Sequence, residues 1–415
     1  MRPVDVREVE HAGTIPRGIW VLGFVSLLMD VSSELIHSLL PVFLMVSFGT
    51  SALTIGLIEG VAEATALIVK VFSGYASDYL RRRKALAVLG YGLGALSKPL
   101  FALSGSVGMV FAARFVDRTG KGIRGAPRDA LIADLTPRAV RGAAYGLRQA
   151  LDTVGALIGP LLAMGLMMLM AEDIRAVFWI AVIPAGLAVA VLWIGVREPR
   201  HTTDAKPGHP VDWRAIPRLT GAYWSVVAIG TAFALARFSE AFLVLRAQQA
   251  GLALSSVPLV LVVMNAAYAA TAYPFGKLSD KLPPAAVLIA GLAVLIAADV
   301  ILAIGDGWPV LAVGIGLWGL HLGMTQGLLA TMVANAAPDE LRGTAFGFFN
   351  LLSGLAALVA SAAAGMLWDR LGAPATFWFG GGMALLALAL VALHGAGDAK
   401  PPVRPPRGQE RRRRN

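Results

Sequence analysis

The segment at residues 74–84 reads GYASDYLRRRK, and a related segment, GKLSDKL, occupies residues 276–282. Each copy ends a long apolar stretch with a glycine, three spacer residues, an aspartate and one or more basic residues. A second pair, RGAAYG at 141–146 and RGTAFG at 342–347, has nearly the same separation of about 200 residues. A chain that repeats two landmarks between apolar stretches is predicted to consist of two homologous membrane-embedded halves.

The composition places the chain in the membrane. Hydrophobic residues make up 57% of its 415 residues and charged residues only 15%, which is typical of an integral membrane protein. The net charge of +10 resides in loops between apolar stretches and in the C-terminal tail, so no nucleic-acid partner is expected. The absence of cysteine excludes disulfides and thiolate metal sites, and we expect neither a metal nor another cofactor.

Apolar stretches of roughly 20 residues or more predict an all-α integral membrane fold, with twelve transmembrane helices in two pseudo-symmetric six-helix bundles. The predicted spans, numbered one to twelve, are 18–46, 52–79, 84–103, 107–129, 141–169, 174–196, 220–249, 254–280, 285–304, 309–334, 342–368 and 374–395. The corresponding organisation is an N-terminal segment (1–17), a first bundle (18–196), a linker (197–219), a second bundle (220–395) and a basic, disordered tail (396–415).

The distribution of positive charge predicts the orientation. Loops after even-numbered spans carry the basic residues, whereas loops after odd-numbered spans carry almost none. The positive-inside rule therefore places both termini in the cytoplasm of a cell whose inner membrane holds the protein. The tail, with Arg411 to Arg414, is expected to contact anionic lipid.

The repeated segments resemble the signature motifs of the major facilitator superfamily, and the resemblance covers nearly the whole chain. After span two the family carries Gly-x-x-x-Asp-(Arg/Lys)-x-Gly-(Arg/Lys)-(Arg/Lys). The matching positions in this sequence are Gly74, Asp78, Arg82 and Arg83 in the first half, and Gly276, Asp280 and Lys281 in the second. The resemblance implies that these residues take part in gating, with Asp78 stabilising the positive N-terminus of the helix that starts near Arg342.

Spans four and five extend the resemblance. Span five is similar to the antiporter motif of the family through Gly155, Gly159 and Pro160. Span four contains DRTGKGIRGAPRDAL at 117–131, which looks like a prokaryotic subgroup of the superfamily. The resemblance implies a secondary transporter that works as a monomer by alternating access, with spans one, four, seven and ten around a central cavity.

Charged residues within the predicted spans are the candidate functional residues, because a charge at mid-bilayer is costly and normally faces a water-filled cavity or a partner. Asp30, Glu34 and His37 follow at steps of four and three, on one face of span one. Neighbouring carboxylates beside an imidazole suit a proton acceptor at neutral pH. We expect these three residues and Glu63 of span two to couple transport to protons; a polar network that only packs the helices is the alternative.

Span four carries a stripe of charge at three- and four-residue steps. Asp117, Arg118 and Lys121, with the i,i+4 pair Arg148 and Asp152 of span five, are interpreted as an ion-pair network that rearranges when the halves rock. Arg114, at the start of the stripe, fits either this network or direct binding of an anionic substrate.

The second half is poorer in charge, which favours substrate recognition there. The candidate cavity residues besides Arg114 are Arg237 and Glu240 of span seven, Asn265 of span eight, and Trp318, His321 and Gln326 of span ten. For Trp318 and His321, ordinary helix packing is the alternative interpretation.

No nucleotide loop, nucleophile elbow or metalloprotease motif is found in the sequence, so an enzyme is not expected. The predicted function is proton-coupled efflux, by antiport, of a small organic molecule. A proton symporter that imports an anionic or zwitterionic nutrient is the first alternative, favoured if Arg114, Lys121 and Arg237 point into the cavity. A receptor or lipid-handling protein that carries no solute is the second.

Overall fold

The computed structural model describes residues 15–80, 82–137, 140–197, 213–279, 281–325, 327–338 and 341–395. The predicted N-terminal segment up to residue 14, linker residues 198–212 and the tail from residue 396 lie outside these ranges.

Each of the twelve predicted spans corresponds to one or two helices. The first half contains Arg17–His37 and Leu40–Phe48 (span one), Ala52–Leu80 (two), Arg83–Ala102 (three), Val107–Leu135 (four), Arg141–Leu169 (five) and Ile174–Gly195 (six). The second half contains Gly221–Ala236 and Ala241–Gln249 (seven), Leu259–Ser279 (eight), Pro284–Ile304 (nine), Trp308–Thr325 and Leu328–Ala336 (ten), Arg342–Leu371 (eleven) and Ala373–Gly395 (twelve). Short 3-10 helices, Trp213–Arg218 and Leu254–Ser256, precede spans seven and eight.

Three spans predicted as continuous helices are interrupted. Span one breaks after His37, because Pro41 has no N–H to donate to the carbonyl of His37 and starts a new helix instead. Span seven is non-helical between Ala236 and Ala241. Span ten breaks before Leu328, where Gly327 has a left-handed φ of 74°. Interruptions of this kind free backbone groups that are tolerated in a membrane only beside a cavity or another helix.

The two halves repeat the same helix pairings, which confirms the two pseudo-symmetric bundles. Span one packs on spans five and six, span two on four, and span three on four and six. The second half has the equivalent pairs, seven with eleven and twelve, eight with ten, and nine with ten and twelve. Spans two and eleven, and spans five and eight, join the halves.

The halves are packed tightly at one end, which we call the closed end; it carries the loops after odd-numbered spans. There the Asp369 carboxylate accepts hydrogen bonds from the backbone N–H groups of Ala52 (3.0 Å) and Leu53 (2.9 Å) at the start of span two. The N–H of Ser255 donates to Glu172 Oε1 at 3.2 Å, joining a loop of each half. At Gly56, an added Cβ would lie 2.1 Å from the Ser361 carbonyl oxygen, so the backbones of spans two and eleven are in contact.

Eleven helices among the described residues are long and apolar enough to cross a membrane. Span four is the exception, because eight of its 29 residues are charged. It nevertheless lies inside the first bundle against spans two and three. A helix with this composition is stable there only if its charges have partners.

Candidate functional site

A cavity of about 510 Å³ lies between the halves. Spans one, two, four, seven, eight, ten and eleven contribute to its wall. Its lining continues away from the closed end through Leu67, Leu329 and Asn350. The charged or titratable lining residues are Glu34, His37, Glu59, Glu63, Arg118, Lys121, Arg237 and Glu240.

His37 connects two carboxylates beside this cavity. Its Nδ1 lies 3.6 Å from Glu34 Oε2, one turn earlier on span one, and its Nε2 lies 3.7 Å from Glu59 Oε2 on span two. Arg114 Nη2 of span four donates to the same Glu59 oxygen at 2.6 Å. Two carboxylates and an imidazole, which can hold or release a proton, thus join spans one and two. Arg114, only 3% exposed, links the buried end of this chain to span four.

A second buried ion pair lies behind the first. Lys98 Nζ of span three is 2.8 Å from Asp117 Oδ1 and 3.1 Å from Ser33 Oγ, and Lys98 is 1% exposed. Arg114 Nη1 reaches Asp117 Oδ2 at 3.8 Å. The predicted Asp117 is therefore held by charges of spans three and four, away from the cavity surface.

The other charged residues of spans four and five split between the cavity and the packing of the bundle. Arg118 Nη1 lies 3.9 Å from Glu63 Oε2, and both residues line the cavity, as does Lys121. Arg148 Nη1 pairs with Asp152 Oδ2 at 3.6 Å, as the sequence predicts. Asp30 faces Asp152 on the side of span one that packs against span five, and it is not among the lining residues of the cavity.

In the second half, the predicted Arg237, Glu240, Asn265 and Trp318 all line the cavity. Arg237 and Glu240 lie in the interruption of span seven, which points both toward the space between the halves. Asn265 also ties the halves together, because its Nδ2 donates to the carbonyl of Ala156 at 2.9 Å.

The two remaining cavity candidates of span ten, His321 and Gln326, are not among the described residues that line the cavity. His321 is completely buried and its Nδ1 lies 2.8 Å from the carbonyl oxygen of Gly291 on span nine, so it packs against that span and does not line the cavity. Gln326 lies outside the described residues.

Asp299 of span nine is a buried carboxylic acid that sequence reasoning did not single out. Its Oδ1 accepts a hydrogen bond from Trp318 Nε1 at 3.3 Å, and its Oδ2 has no hydrogen-bond partner in the described structure. A carboxyl group that is 1% exposed and has no cation beside it among the described residues is costly to ionise. In the described geometry, Asp299 therefore holds the Trp318 indole in the cavity wall.

This arrangement predicts different outcomes for two substitutions at Asp299. Asp299→Asn keeps an acceptor for the indole N–H and is expected to leave thermal stability nearly unchanged. Asp299→Leu removes the acceptor and is expected to lower the unfolding free energy by about 1–2 kcal/mol. Thermal unfolding of the two purified variants in detergent distinguishes them, and a large loss in the Asn variant would show that the acid is charged.

The sequence profile of the Major Facilitator Superfamily matches residues 22–259 and 227–414, one match for each half. The chain belongs to the Major Facilitator Superfamily. The "Uncharacterized MFS-type transporter MJ1317" of Methanocaldococcus jannaschii is 32% identical over 385 residues, 91% of this chain and 95% of the relative. The chain is accordingly a multi-pass membrane protein of a transporter family.

Solved structures of other transporters have the same fold. A POT family transporter in complex with a thioalcohol-conjugated peptide superposes with a TM-score of 0.77 at 14% identity, covering 92% of this chain and 96% of that one. A POT family transporter in complex with 5-aminolevulinic acid gives a TM-score of 0.76 at 14% identity, covering 91% and 96%. At this identity the likeness concerns the fold.

The superfamily motif in span five lies at the contact between span five and span one. Gly155 and Gly159 let span five approach span one, since an added Cβ would lie 2.6 Å from the Leu27 carbonyl oxygen and from Glu34 Cβ respectively. Pro160 is buried beside them. The motif after span two is less completely described.

In that motif, Gly74 faces span four, where an added Cβ would be 3.5 Å from Ala126 Cβ. Arg82 is exposed, and Arg83 forms an ion pair with Asp134 of span four. The Asp78 side chain and Asp280 lie outside the described residues, and Gly276 is exposed on span eight. The predicted contact between Asp78 and span eleven therefore stays a prediction.

Proposed function

We propose that this superfamily member is a proton-coupled secondary transporter that exports a small organic solute in exchange for protons. The observation that carries the proposal is the chain Glu34–His37–Glu59, in which one imidazole lies between two carboxylates beside the cavity. An imidazole in this position can accept or release a proton with little rearrangement. Because Glu59 also binds Arg114, protonation at His37 changes the contacts of spans one, two and four together.

Exchange is favoured by the acids that share the cavity wall with this chain. Glu34, Glu63 and Glu240 all line the cavity. A solute with a cationic group binds them best when they are ionised, so protons and solute compete for the same carboxylates. Competition of this kind couples proton entry to solute release, because each ligand favours its own state of the site. With the orientation predicted by the positive-inside rule, the side of the cavity away from the closed end faces the cytoplasm. An exporter binds its solute from this side.

Flux of protons tests the proposal. Protein is reconstituted in liposomes that contain a trapped pH-sensitive dye, and dipeptides, cationic drugs and small organic acids and amines are added outside. We expect at least one compound to drive protons across the membrane in the wild type. In Glu34→Gln, where the carboxylate next to His37 cannot ionise, proton movement should fall to the level of protein-free liposomes.

The control is Asp306→Asn, which removes a carboxylate from an exposed loop at the closed end. It should retain wild-type proton flux. Solute movement without any proton movement in the wild type would exclude coupling, and binding with no flux of solute or proton would favour a receptor or lipid-handling protein instead.

Proton symport is the second candidate, and a specific observation favours it. Lys121 and Arg237 line the cavity, and neither forms an ion pair with a described residue, so an anionic group on the solute has cations available. Arg114, which would strengthen this alternative, is instead bound to Glu59. The sign of the pH change in the liposome experiment separates the candidates: solute added outside acidifies the lumen in symport and makes it more alkaline in antiport.

A further inference from the structure

Most charges in the cavity wall of the first half are already paired. Glu59 binds Arg114, Glu34 contacts His37, and Glu63 lies 3.9 Å from Arg118. Such pairs lower the cost of holding charge within the membrane.

Arg237 and Glu240 of the second half differ. Both line the cavity, and among the described residues neither forms an ion pair or a side-chain hydrogen bond. The buried Nε of Arg237 has no hydrogen-bond partner in the described structure. A charged group within the membrane has a high free-energy cost unless a partner of opposite charge binds it. Because Arg237 and Glu240 have no such partner among the described residues, a ligand can bind them.

The surroundings hold these two side chains in place without satisfying their charge. Both belong to the interruption between Ala236 and Ala241, which is fixed because the Ser239 N–H donates to Ser361 Oγ at 3.1 Å. The Arg237 guanidinium stacks over the Phe233 ring, 5.4 Å from its centroid. An aromatic face orients a guanidinium and leaves its N–H groups available for a planar anion such as a carboxylate.

We propose that Arg237 and Glu240 form a binding site for a zwitterionic solute, whose carboxylate binds Arg237 and whose ammonium group binds Glu240. The two residues are three positions apart on one interrupted segment, so a single small molecule reaches both. Phe233, Phe238 and Trp318 supply an apolar wall for the carbon skeleton between the charged ends. This inference rests on the proposed transport function and names the class of its solute.

The test measures binding, not flux. Isothermal titration calorimetry of the full-length protein in detergent uses the ω-amino acids from β-alanine to aminohexanoate. The carboxylate and the amine of the same chain length are titrated in parallel. We expect at least one ω-amino acid to bind at least about tenfold more tightly than either of its single-charge analogues, because each analogue lacks one of the two charged hydrogen bonds.

Substitutions then show which residue binds the carboxylate of the solute and which binds its ammonium group. Arg237→Gln should remove the advantage of the amino acid over the amine, and Glu240→Gln should remove its advantage over the carboxylate. Arg218→Gln and Asp306→Asn, which remove the same charges from exposed positions away from the cavity, should bind as the wild type does. Failure of every amino acid to bind, or equal binding of a single-charge analogue, would overturn the inference.

The binding experiment and the proton-flux experiment can fail independently of each other. Zwitterion binding that depends on both residues, together with no proton flux in liposomes, would leave this site standing and remove the coupling mechanism. Proton flux driven by a simple amine that binds equally well in Arg237→Gln would do the reverse.

Discussion

Replacing Arg114 with methionine is expected to lower the unfolding free energy by about 3–5 kcal/mol, because it leaves the buried Glu59 carboxylate without its cation. The two side chains are 2.6 Å apart and are only 3% and 5% exposed, so water replaces the guanidinium poorly. His37 is too distant, at 3.7 Å, to take over the full role of Arg114. Denaturant titration in detergent, followed by tryptophan fluorescence, measures the loss.

The double variant Arg114→Met, Glu59→Met provides the internal control. Removing both charges also removes the desolvation cost of each, so the double variant should recover most of the lost stability. A double variant as unstable as the sum of the single ones would contradict a buried ion pair. Because Arg114 also contacts Asp117 at 3.8 Å, recovery should be incomplete.

Replacing Asp369 with alanine is expected to shift the protein away from the state in which the closed end is shut. Its carboxylate accepts two backbone hydrogen bonds at the start of span two and links the halves at the closed end. Charged hydrogen bonds at a helix N-terminus contribute about 1.5–3 kcal/mol, so losing them should raise the population open at this end by about tenfold or more. The described contacts of Asp369 exist only while the closed end is shut.

Distances between two labels across the closed end report the shift. The chain has no cysteine, so cysteines introduced at Ser51 and Leu371, both exposed, can be labelled uniquely for electron spin resonance. Asp173→Ala is the matched control, because Asp173 accepts the same kind of hydrogen bond from Arg175 and Ala176 within one half. Equal shifts in the two variants would exclude a special role for the contact between the halves.

The sequence alone predicts the architecture well, because it depends on long apolar stretches and on a repeat that hydropathy and spacing reveal. Local side-chain pairs are equally accessible: Glu34 with His37 and Arg148 with Asp152 lie one turn apart, and both pairs are present. The interruptions of the helices were harder to predict. Pro41 gave a signal for span one, whereas nothing in the composition of residues 237–240 marks a break in span seven.

Contacts between spans could not be predicted, since they depend on which faces of separate helices meet. Glu59 was visible as a charge in an apolar stretch, but its partner Arg114 is 55 residues away. Lys98 and Asp299 were missed, although each is a charged residue type within an otherwise apolar span and could have been found by that signal. His321 was expected in the cavity because it follows Trp318 by one turn, yet the backbone of span nine binds it.

The composition of span four has a consequence for how the chain is made. Each charge near the middle of a helix adds about 2.5–3.5 kcal/mol to the cost of leaving the translocon for lipid, so span four cannot enter the bilayer alone. Its partners Glu59 and Lys98 belong to spans two and three, which are synthesised first. We therefore expect span four to enter the bilayer only in contact with spans two and three, which supply these partners.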